Sequence, residues 1–198
     1  MTVRARILPL LALLLGGATA APGVLMYRLD PATSSIAFSV DHLGLFTTEG
    51  YFAHFTGALD VDPAAPERTK VEVAVDADSI FVPWPEGIAK LRSPTYFDTA
   101  EHPAVRFTST AVTSGAGGHY QIVGNLEIRS ITHPLTLDAT LIGRATDPAT
   151  HVQTADLSAV GKLSRAAYGM TADHIFISDT VKLRIRAHIA LAPGAHVD

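Results

Sequence analysis

Val181-Lys182-Leu183-Arg184-Ile185-Arg186-Ala187-His188-Ile189-Ala190 is the stretch whose reading decides the fold. Val181, Leu183, Ile185, Ala187 and Ile189 alternate strictly with Lys182, Arg184, Arg186 and His188. Side chains of a strand point to opposite faces in turn, so this segment is a strand with one apolar and one wet face. Working back along the chain, the same period recurs. It is present in Leu135, Leu137, Ala139 and Leu141, in Val71, Val73 and Val75, and in Ile36, Phe38 and Val40. Val105 and Phe107 open a further run, and Tyr120 to Ile128 another. Tyr51 to Val61 reads as one strand with Gly57 as a bulge or bend. Ser114–His119 and Gly143–His151 have turn composition. About eight strands with one or two short helical insertions predict an all-β fold, an extended antiparallel eight-stranded barrel.

Ser79 to Tyr96 breaks the pattern, because Pro83, Pro85 and Pro94 exclude it from a sheet interior. Pro85 suits the first turn of a short helix from Glu86 to about Arg92. Trp84, held between two prolines, reads as a lid or rim element, and the insertion from Pro83 to Phe97 is expected to cover one mouth of the barrel. A packed barrel end plugged by Ile88 and Leu91 is the plainer reading of the same stretch.

Composition narrows the function. Of 198 residues, 47% are hydrophobic and only 17% charged, which excludes a disordered chain. A net charge of −4 leaves no basic excess for phosphates, so nucleic acid is not an expected partner. The absence of cysteine excludes disulfides, thiolate metal sites and Cys nucleophiles. Met1 to Arg6 carries two arginines, Ile7 to Leu15 is almost purely aliphatic, and Ala18-Thr19-Ala20 follows. That order is a secretory signal over residues 1–20, cut after Ala20, leaving residues 21–198 as one exported domain without stable membrane insertion.

Catalytic motifs are thin. The chain has no G-x-S-x-G, H-E-x-x-H, P-loop or dinucleotide fingerprint. Asp98, Glu101 and His102 are close enough in sequence to share a metal, but a solvated loop explains them equally well. Arg92, Arg129 and Arg165 are candidates to meet an anionic head group. An eight-stranded barrel either fills its interior or holds one small ligand, and inward aliphatic residues occur in both cases.

Five ordered stretches carry a resemblance. They are Tyr27-Arg28-Leu29-Asp30-Pro31 with Ser34 to Phe38 and Val40-Asp41-His42; Gly50-Tyr51-Phe52 with Phe55-Thr56-Gly57; Leu91-Arg92-Ser93-Pro94 with Tyr96-Phe97-Asp98, Pro103 and Phe107; Gly124-Asn125-Leu126 with Ile128-Arg129 and Thr132-His133-Pro134-Leu135; and Arg165 with Tyr168-Gly169-Met170, Ile177-Ser178 and Val181. Together they resemble the YceI-like family. Thr33, Lys90, Glu127 and Ser130 depart from its usual residues, all at polar positions. The resemblance implies a lipocalin-like, periplasmic barrel that holds a polyisoprenoid chain or isoprenoid quinone in an apolar tunnel, without chemistry or a cofactor, and that pairs as a homodimer. On this reading Phe38, Phe52, Phe55, Trp84, Leu91, Phe97, Phe107, Leu137, Met170 and Leu183 line the tunnel, and Lys90, Arg92 and Arg165 are the head-group candidates. A metal-dependent hydrolase using Asp98, Glu101 and His102, and a filled barrel serving as a stress or interaction module, are the alternatives.

Overall fold

The computed structural model describes residues 23–196; the expected signal segment, residues 1–20, lies outside them. Eleven strands form one antiparallel sheet: β1 (Leu25–Leu29), β2 (Ser35–His42), β3 (Phe46–Phe52), β4 (Phe55–Val61), β5 (Lys70–Asp76), β6 (Ile80–Phe81), β7 (Ala104–Ser114), β8 (His119–Ile128), β9 (Ile131–Thr146), β10 (Gln153–Ser164) and β11 (Ile177–His196). The sheet closes because β1 pairs with both β4 and β11. β11 is long enough to hold β1 along residues 189–196 and β2 along residues 177–186. β1 and β2 are therefore successive pieces of one stave. β3 with β4, and β5 with β6, are broken staves of the same kind, pairing with β2 and β1, then with each other. Eight staves result, a closed antiparallel barrel.

Two expectations are corrected in detail. Tyr51 to Val61 is not one strand; pairing stops at Ala53 and His54, where the alternation restarts. Gly57 forms no bulge, since the β4–β5 register runs unbroken from Phe55↔Val75 to Asp60↔Lys70. A side chain there would press on Leu29, 3.2 Å from a built Cβ.

The Pro-rich insertion forms α1 (Pro85–Arg92). Pro85 occupies the first turn, where its missing N–H costs nothing, and Trp84 is the extended N-cap residue. Ser93 precedes Pro94, and that proline disfavours helical backbone at Ser93, which is extended and ends the helix. β6 ends just before α1, so beyond it the barrel wall is open between β3 and β7, and the insertion occupies that end. The β2–β3 turn and the segment between β10 and β11 reach the same end, since His42 pairs with Ile177. Among the described residues no helix is long and apolar enough to cross a membrane.

Candidate functional site

The barrel is hollow. A cavity of about 370 Å³ runs inside it, within the size range of small-molecule sites. Its β11 wall is Val181, Leu183, Ile185 and Ala187, four of the five residues of the apolar face read from the sequence, together with Ile177; Ile189 lies outside it. Ten residues of strand at ~3.3 Å each, tilted as barrel strands are, make the channel about 25 Å long. Many inward side chains, among them Phe38, Phe97, Ile122, Ala159, Leu183 and Ile185, are only partly buried. Residues that point into a filled core would be sealed; these face open space. Close backbone approach gives the rings room: a Cβ on Gly124 would lie 2.4 Å from Phe107 Cζ.

Nine of the ten expected lining residues are in the wall: Phe38, Phe52, Trp84, Leu91, Phe97, Phe107, Leu137, Met170 and Leu183. Phe52 lies between Phe38 and Phe97, each ring centroid 5.8 Å away, so three aromatics form a connected ridge. Phe55 is corrected: it is buried in the core cluster but lies outside the cavity wall. The break at Ala53 and His54 lets both Phe52 and Phe55 face inward, and Phe55, directly opposite Val75, is sealed in the core cluster instead of facing the open channel.

The polar groups of the wall gather at the α1 end: His42, Thr48, Lys90, Tyr96 and Arg165. Gly87, Lys90 and Leu91 lie three and four residues apart, on one helix face, and all three line the cavity. Trp84, 40% exposed, forms part of the rim. Its indole lies directly on Gly87, where a Cβ would come within 2.1 Å of Nε1, so only glycine allows this pose.

Asp173 ties the helix segment to the loop before β11. Its carboxylate accepts from Lys90 Nζ and from the Tyr96 hydroxyl, both at 2.6 Å. The bond from Lys90 foremost, then that from Tyr96, holds the Asp173 carboxyl below its usual range. Burial first, and then the Asp173 hydrogen bond, push the Tyr96 phenol up to about 12. Lys90 thus stands at the mouth already paired with Asp173.

The other two head-group candidates are corrected. Arg92 leaves the cavity wall, because one further helical step turns it outward. Its Nε lies 3.2 Å from an Asp78 carboxylate oxygen and its Nη2 donates to the Asp78 carbonyl, pinning α1 to the preceding turn. Arg165 lines the cavity but is 4% exposed and is spent on structure. It donates to the carbonyls of Ser178, Met170, Ala172 and Ile177 at 2.6–3.0 Å, four of its five N–H donors. Asp98, Glu101 and His102 form a local turn, with His102 Nδ1 3.2 Å from the Ser130 hydroxyl. No group of three His, Asp or Glu with metal-holding geometry exists among the described residues.

Sequence reasoning missed Asp173 as a part of the mouth and as the partner of Lys90 and Tyr96. Nothing local marks Tyr96 and Asp173 as partners, since 77 residues separate them.

A family model described as the YceI-like domain matches residues 27–189. A UPF0312 protein of Shewanella denitrificans is 36% identical over 144 residues, covering 70% of this chain and 75% of that protein. Protein YceI of Salmonella arizonae is 32% identical over 161 residues, covering 80% and 83%. Among solved structures, Burkholderia cenocepacia BcnA superposes with a TM-score of 0.72 at 21% identity, over 83% of this chain and 99% of that one. A polyisoprenoid binding domain from Saccharophagus degradans does so with a TM-score of 0.62 at 14% identity, over 85% and 99%.

Proposed function

This chain belongs to the YceI-like family, and we propose that it is an exported carrier or store of a long-chain isoprenoid lipid, a polyprenyl chain or an isoprenoid quinone. The observation that carries the reading is the channel itself, about 370 Å³, walled by aliphatic and aromatic side chains and polar only at the α1 end. Such a wall offers an apolar chain burial along its whole length and no directional partner, at ~25 cal/mol per Å² removed from water. The ridge of Phe38, Phe52 and Phe97 gives a methyl-branched chain rings to pack against. Lys90, with Trp84 beside it, stands where a polar or quinone-like head would emerge. The polyisoprenoid binding domain of Saccharophagus degradans, whose fold superposes on this one, supports the choice of ligand class.

The leader of residues 1–20 supports export to the periplasm with a cut after Ala20. Binding alone meets this role, which requires no bond-making step and no cofactor. A homodimer belongs to the same reading and is checked by the mass in solution.

Trp84, the single tryptophan, reports on the mouth. Titrating the purified protein with a long-chain polyprenol should change Trp84 emission saturably, with one lipid per barrel. A matched titration with a short-chain alcohol should not. Equal responses to both would overturn the reading.

A further inference from the structure

We infer that the mouth of this barrel docks on a lipid bilayer, through two apolar loop tips beside it. The tips are Leu43 and Leu45 with Phe46 at the β2–β3 turn, and Ile175 with Phe176 just before β11. Their exposures are 62%, 81%, 62%, 67% and 59%. The two tips are neighbours, because His42 and Ile177, which adjoin them, are partners in the sheet. Those two residues also line the cavity. Ile177 therefore joins the outer tips to the channel wall, beside the polar His42. The inference rests on the carrier reading, since a chain held in the channel has to enter or leave by this mouth.

Three features select a bilayer as the occupant. Residues 43–46 and 175–177 contain no charged side chain, so the tips themselves can enter hydrocarbon without burying a charge. Three N–H groups of the tips are satisfied within the chain, which lowers the cost of taking them into hydrocarbon. Leu45 N–H donates to the His42 carbonyl at 2.8 Å, and Phe176 and Ile177 N–H both donate to the Asp173 carbonyl at 2.9 Å. Finally, Leu43 holds φ at 51°, followed by Gly44 at 70°. Glycine or asparagine suits such a position far better than leucine. An exposed leucine held in that conformation gains nothing for the fold, which points to a use outside it.

The test is flotation of the native protein with phosphatidylcholine vesicles, at two salt concentrations, since the tips carry no charge to screen. The protein should co-float with little salt dependence. The double variant Leu45→Ser, Phe176→Ser should lower the bound fraction at least tenfold. Ile142→Ser, an exposed apolar residue of β9 outside the mouth, should leave it unchanged. Leu43→Asn separates surface from stability: it should raise Tm by about 2–4 °C while weakening flotation. Equal flotation of wild type and double variant, or none by wild type, overturns the docking claim. So does a wild-type dimer that the double variant converts to monomer, which would make a second copy the occupant. Loading with polyprenol from detergent is measured alongside. Loading without flotation sinks docking alone, whereas flotation without loading sinks the carrier.

Discussion

Replacing Ala159 by phenylalanine sets an open channel against a packed core by the sign of one number. Ala159 faces inward from β10, directly opposite Ala139 on β9 and Ile185 on β11, and lines the cavity. The Ala139–Ala159 pair is therefore a recess in the wall. A phenyl ring placed there adds about 100 Å² of apolar surface that enters the channel instead of displacing neighbours. At ~25 cal/mol per Å² this is about 2.5 kcal/mol at most. Rotamer ordering and imperfect fit reduce it to a net stabilisation of about 1 kcal/mol. A filled interior gives the opposite sign, since overpacking costs about 1–3 kcal/mol. Urea unfolding of the lipid-free protein measures the sign, and the polyprenol titration should show at least tenfold weaker binding. Destabilisation by 1 kcal/mol or more, with binding unchanged, would refute the reasoning.

Asp173→Asn should destabilise by about 1 kcal/mol and speed lipid loss, because the tie between the α1 segment and the β10–β11 loop is weakened. The Asp173 carboxyl is held low, so its contribution exists above the ordinary carboxylate value and should fade below about pH 4, visible as acid-triggered release from wild type only. Tyr96 is raised to about 12, so its contribution is present below about pH 10 and lost between there and 12, a second window checked by alkaline melting. Arg165→Met should cost about 3–5 kcal/mol by thermal or urea unfolding, with little selectivity among lipid heads, because four carbonyls lose their partner. Gly87→Ala should shift Trp84 emission to the red and weaken lipid retention, as the indole is forced off the helix. N-terminal sequencing of the exported protein should begin at Ala21; a start at Met1 would remove the case for export.

The barrel was legible where one stave makes its own argument. Val181 to Ile189 announces both its strand and its cavity face, because the period-two pattern is local. The breaks in the first three staves were not, since they arise where β1 and β2 share the edge of β11, a matter of closure. Lys90 and Arg92 look equivalent as letters. Helical rotation alone sends one to the mouth and the other to Asp78. Arg165 reads as a free cation in sequence, and only the folded loop brings four carbonyls around it. Nothing in the letters of Leu43 to Phe46 sets them apart from core residues; their exposure follows from the placement of the turn.

The central claim is that the channel holds an isoprenoid chain, and the most direct measurement is organic extraction of protein purified from its native envelope, followed by mass spectrometry and metal analysis. The account predicts one long-chain isoprenoid per barrel and no stoichiometric metal. A lipid-free protein, or one carrying a metal in place of a lipid, would contradict it.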